Sequence, residues 1–237
     1  MPSRRPIWSR ILRFVIALLL WPAVVGLGIA LWHGILSIHS GRTILGINAD
    51  VMAFFLGIIL YAVTFVALPR PSRLYVWGHE LTHAFFGLLH GASIGKIRVK
   101  EDSGSVRLSH INTLILLAPY FFPFYTILVI LVIGIAACFL PLGPYRPWFV
   151  GIIGFSWGFH LCFTVSSLLQ EQTDISRSGH FFSYTLIILL NLLVLFLGLV
   201  AVSPLDILWF LSIAARDTLH AYRLCWEGAY AIISSAR

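Results

Sequence analysis

The chain has 237 residues, 59% apolar and 11% charged, and sixteen Lys+Arg against nine Asp+Glu leave a net charge of +7. Its mean hydropathy of +0.93 lies far above the soluble range, where about a quarter of residues are charged. A water-soluble enzyme, a disordered chain and a disulfide framework are excluded, and the length suits one integral membrane domain over 1–237.

The N-terminus carries Arg4, Arg5, Arg10 and Arg13 ahead of an uncharged run over 14–32. That run is longer than a signal-peptide core and lacks a clear cleavage site, which predicts an uncleaved first span. A second charge-free run covers 51–68, so segment 1–74 holds two N-terminal spans. Backbone groups in lipid must be satisfied internally, and such runs are therefore helices. The charges around them are mostly arginine and read as anchors near anionic lipid, with no nucleic-acid partner.

Segment 74–89 is apolar enough for the membrane yet contains His79, Glu80 and His83, spaced as HExxH. On a helix, positions four apart share a face, so both imidazoles can bind one Zn²⁺ per chain. Glu80 is then placed to take a proton from a water at the metal. An ionisable side chain in the bilayer costs about 2.5–3.5 kcal/mol, so this cluster calls for a functional reason.

Residues 94–109 alternate. Ile97, Val99, Val106 and Leu108 fall on one face, Lys96, Arg98, Lys100 and Arg107 on the other, and Glu101-Asp102-Ser103-Gly104 supplies turn chemistry. This predicts a small membrane-associated β-hairpin with one apolar and one basic face. Runs over 111–142, 148–169 and 181–202 predict further spans. Cys138 and Cys162 lie within apolar runs and are expected to be buried, inert thiols.

A catalytic zinc site takes three protein ligands and keeps a position open. Of the nine acidic residues, Asp50 begins a span, Glu101 and Asp102 are in the turn, and Asp206, Asp217 and Glu227 are in the tail. Glu171 and Asp174 remain. Ser156, His160, Thr164, Ser167, Glu171 and Asp174 follow at steps of 4, 4, 3, 4 and 3. These helical steps predict a polar seam running down the span toward the two carboxylates. Either carboxylate can supply the third ligand, with His160 as a reserve ligand or cavity-lining group. His33, His39, His90, His110, His180 and His220 sit near segment ends and are given no role. The tail, 203–237, mixes charges among apolar residues and predicts an amphipathic interfacial or bundle-docked helix.

The expected fold is thus an all-α polytopic membrane protein of about six transmembrane helices, with the β-hairpin (94–109) following the HExxH helix. Over 75–195 the chain resembles the site-2 protease family of intramembrane zinc metalloproteases. The likeness begins at Gly78-His79-Glu80-Leu81-Thr82-His83-Ala84, continues through Leu88-Leu89-His90-Gly91-Ala92 into the hairpin, and includes Leu117-Ala118-Pro119. It implies a zinc-dependent metalloendopeptidase with His79, His83 and Asp174 on the metal, Glu80 as the catalytic base, and Glu171 in reserve. The family's Gly-Pro is Ala118-Pro119 here, the Asn expected shortly after is absent, and Asp174 is followed by Ile175 with no preceding Asn-Pro, which marks a divergent branch.

The positive-inside rule slightly favours a cytoplasmic N-terminus with the HExxH helix dipping in and returning. The expected function is hydrolysis of peptide bonds in transmembrane protein substrates, in the plasma or inner membrane. The alternative is a non-enzymatic transporter or metal-binding protein that uses the polar seam over 156–174.

Overall fold

The computed structural model describes residues 6–37, 43–44, 47–203 and 206–235. Arg4, Arg5, His39 and Leu205 lie outside the described residues. The chain falls into two compact units, one formed by residues 1–40 with 177–237 and the other by 41–176.

In the first unit, helix α1 (Ile7–Leu36) packs against the two C-terminal helices introduced below. In the second, strands β1 (Thr43–Ile44) and β2 (Ile47–Asn48) form a short antiparallel pair. Helix α2 (Ala49–Ala67) starts at Asn48, whose Oδ1 accepts from the amides of Asp50 and Val51 at 3.0 and 3.2 Å. That satisfies two of the amides a helix start leaves open. It stops at Leu68, which is extended because a residue before proline is pushed out of the helical region.

Helix α3 (Ser72–Leu89) carries the HExxH residues. It ends at Gly91, with φ +76°. The Ala92 amide donates to Gly87 O at 2.8 Å and the Gly91 amide to Leu88 O at 2.9 Å, the paired bonds of a glycine-closed helix end. Strands β3 (Ile94–Val99) and β4 (Gly104–Leu108) follow as an antiparallel hairpin with an irregularity between Ile94 and Ile97. Ile97, Val99, Val106 and Leu108 are half-buried, whereas Lys96, Arg98, Lys100 and Arg107 are exposed. A Cβ on Gly87 would meet Leu108 at 2.9 Å, so the missing side chain lets the hairpin lie directly on α3. Its base is pinned by the Ser93 amide donating to Ser109 Oγ at 3.0 Å and by His110 Nε2 donating to His90 O at 3.0 Å.

The run over 111–142 is two helices, α4 (Thr113–Phe121) and α5 (Phe124–Ala137), bent by 65° at Phe122-Pro123. Phe122 is extended and Pro123 has no amide to continue the ladder. Helix α6 (Arg146–Leu168) follows, then the short α7 (Thr173–Ser178).

Helices α2 and α6 approach so closely that a Cβ on Gly57 would strike Gly151 O and one on Gly154 would strike Phe54 O. Small residues permit such close contacts between membrane helices. Phe54 meets Trp157 edge-on at 5.3 Å, and Tyr61 meets Phe159 at 5.4 Å. Replacing Gly154 with Ala is expected to cost about 1–3 kcal/mol, read as a lowered unfolding midpoint in detergent.

The first unit is completed by α8 (His180–Val202) and α9 (Ile207–Ser235). Helix α9 docks on α1. His33 Nδ1 lies 2.9 Å from Asp217 Oδ2, Tyr222 Oη donates to Leu19 O at 2.6 Å, and Phe210 fills the space left by Gly34. His33 therefore has a packing partner that its position near a segment end did not disclose.

Among the described residues, four helices, over Ile7–Leu36, Ala49–Ala67, Gly143–Leu168 and His180–Ala201, are long and apolar enough to cross a membrane, or five if the bent α4–α5 pair is one span. Six apolar segments were read from the sequence. Helix α3 drops out because its polar residues lower its hydropathy. Cys138, expected to be buried, is exposed, as is Cys225, and Cys162 is half-buried.

Candidate metal centre

The site lies within residues 41–176 and is assembled from α3, α4, α6 and α7. One helical turn apart on α3, His79 and His83 bring their Nε2 atoms to 3.2 Å. Asp174, in the first turn of α7, places Oδ2 at 3.6 Å from His79 Nε2 and 3.3 Å from His83 Nε2. Among the described residues this is the group of His, Cys, Asp and Glu side chains whose ligand atoms converge. Two atoms bound to one tetrahedral ion at ~2.0–2.1 Å stand about 3.3–3.4 Å apart. The three separations match such an edge, so the residues fit a tetrahedral cation with one position left over.

Hydrogen bonding at the far side of each ring supports the same use. His83 Nδ1 donates to Ile115 O at 2.8 Å, which in the neutral ring leaves Nε2 as a bare lone pair. His79 Nδ1 stands 3.3 Å from Tyr75 Oη. Two imidazole lone pairs and a carboxylate facing one another repel unless positive charge lies between them. Metal-bound histidines are oriented in this way by a partner on the second nitrogen.

Burial alone would raise the Asp174 carboxyl. In their protonated forms the His79 and His83 rings outweigh burial and hold the group well below the usual carboxylate range. The carboxylate form that this favours is the form in which Asp174 could bind a cation.

Aromatic rings fix the histidines. Tyr75 stacks on Phe163 at 4.7 Å, and the Tyr120 ring stands 5.3 Å edge-on to His79. Tyr120 is fully buried, and its hydroxyl is an electrostatic neighbour of Asp174. Sequence reasoning missed both tyrosines. Tyr75, four residues before His79 on the same helical face, carried a usable signal, whereas Tyr120 lay within an apolar run.

Glu80 is 6% exposed and lies under the hairpin. A Cβ on Gly104 would fall 2.5 Å from Glu80 Oε1 and 2.7 Å from Val76 Cγ1. The Val106 amide is another electrostatic neighbour of the carboxylate. Strand β4 thus roofs the Glu80 side chain, and the absent side chain at 104 makes the approach possible.

The seam residues divide. His160, Thr164 and Ser167 are buried on α6, and Ser156 Oγ donates to Thr126 Oγ1 at 3.2 Å. His160 lines a cavity of about 20 Å³ together with His79, Tyr75 and Thr82, and is not among the three converging ligands. Glu171 is exposed and stands outside the cluster, because α6 ends at Leu168 and the chain turns before α7.

Comparison of the chain with protein-family models, with curated proteins and with solved structures finds no match.

Proposed function

We propose that the protein is an intramembrane zinc metalloendopeptidase that cleaves membrane-embedded protein substrates, with its N-terminus in the cytoplasm. The observation that carries this reading is the convergence of His79, His83 and Asp174 at tetrahedral spacing, with Glu80 next in sequence to one of them. Zinc there would supply a Lewis acid for the scissile carbonyl and lower the pKa of its water.

The remaining chemistry belongs to the chain. His79 and His83 offer neutral nitrogens, and Asp174 offers the one negative charge among the ligands. Glu80 takes a proton from the attacking water and returns it to the leaving amine. Tyr75 and the Ile115 carbonyl orient the two rings. A transmembrane helix hides its carbonyls in internal hydrogen bonds, so a substrate must unwind locally. The hairpin at 94–108 is suited to hold the unwound strand by edge pairing, an assignment made by family analogy.

The test is purification without chelators, measurement of bound metal, and incubation with transmembrane peptides. One zinc per chain with chelator-sensitive cleavage is expected, and protein free of transition metal would overturn the reading. Two variants refine it. Gly104→Val is expected to displace Glu80 or lift the hairpin, lowering kcat/KM by about 10–100-fold with zinc content unchanged. Deleting the hairpin without any change in cleavage rate would remove its substrate-holding role.

The buried seam through His160, Thr164 and Ser167 also suits the second reading, a transporter or metal-binding protein. The two part at Glu80, which a conduction path does not require.

A further inference from the structure

Pro119 sits inside α4, where proline lacks the amide that would bond the carbonyl four residues back. That carbonyl is Ile115 O. Ile115 is fully buried, and a buried carbonyl without a donor is costly. Its donor here is His83 Nδ1 at 2.8 Å, on a different helix. The proline ring also crowds the carbonyl four residues back and tilts it out of the helix axis.

We infer that Pro119 is a positioning residue for the metal centre: by withholding its own amide it frees Ile115 O to fix the ring orientation and tautomer of His83. The inference rests on the metal-site reading above but not on proteolysis. The remainder of α4 is built to hold this carbonyl still. Asn112 Oδ1 accepts from the Ile115 amide at 2.8 Å, so both backbone groups of Ile115 are held by side chains. The ring that Ile115 orients presents its other nitrogen to Asp174 and His79.

The test is Pro119→Ala in the full chain, with two measurements that a purely structural role would move together. Removing a proline from a helix interior favours the helix, so the unfolding midpoint is expected to hold or rise. Restoring the amide draws Ile115 O back into its own helix, and zinc affinity, read by competition with a chromophoric chelator, is expected to fall about tenfold or more.

Unchanged zinc affinity in a folded variant overturns the inference, as does loss of affinity only in step with loss of stability. Should the variant fail to fold, nitrogen-15 histidine NMR of the zinc-loaded parent decides. His83 bound through Nε2 with a protonated, hydrogen-bonded Nδ1 is expected, and binding through Nδ1 overturns the inference. A chain whose zinc affinity depends on Pro119 but which cuts no peptide keeps this inference and loses the protease reading. Proteolysis with zinc affinity indifferent to Pro119 does the reverse.

Discussion

Asp174→Ala is expected to weaken zinc binding by more than about 100-fold, beyond the range that loss of an outer partner costs, and to abolish cleavage. The carboxylate is the one anionic group among the three converging atoms. Without it, the two imidazoles at 3.2 Å provide an incomplete site. Glu171→Ala is the matched control, since that side chain is exposed and outside the cluster. It is expected to leave zinc content and cleavage at parental levels. Metal analysis of both variants checks the pair, and parental zinc in Asp174→Ala would move the third ligand elsewhere.

Glu80→Gln is expected to lower kcat by about 10²–10⁴-fold, the usual worth of a positioned acid–base group, with zinc content retained. Gln matches Glu in shape, so strand β4 can still rest on it through Gly104, and the change isolates the proton-transfer role from packing. A rate within a few-fold of the parent would favour the transporter or metal-binding reading. Rate measurement and metal content on the same preparation are both required, because a variant that also loses zinc says nothing about the base.

How far the sequence spoke differs from residue to residue. The His79 and His83 pairing was legible because four residues on a helix set a geometry almost independent of context. The third member of the cluster was not. Glu171 and Asp174 both continue the three-and-four stepping of the seam, and the residue pattern alone does not say that the helix stops at Leu168. Once the chain turns, the stepping loses its meaning and only Asp174 reaches the imidazoles. The hairpin was legible from its alternation, to within one residue at its end.

The break at Phe122-Pro123 was hidden inside a charge-free run, since hydropathy registers composition and not the lost amide. Gly104, the residue that admits β4 over Glu80, read only as turn chemistry. Its close approach belongs to tertiary packing, which no local pattern encodes.

The bend between α4 and α5 has one more consequence. Nine residues of α4 rise only about 13.5 Å, less than half the ~30 Å hydrocarbon thickness. If the pair crosses as one span, its interruption falls deep inside. Irregular backbone at such depth is tolerated only where protein or moisture shields it from lipid. Phe122 and Phe124 flank that interruption and border the same small chamber as His79 and His160, whose roughly 20 Å³ is room for about one solvent molecule. On the hydrolytic reading proposed above, water is the second reactant, and the elbow marks where this fold would keep a single portion in reserve.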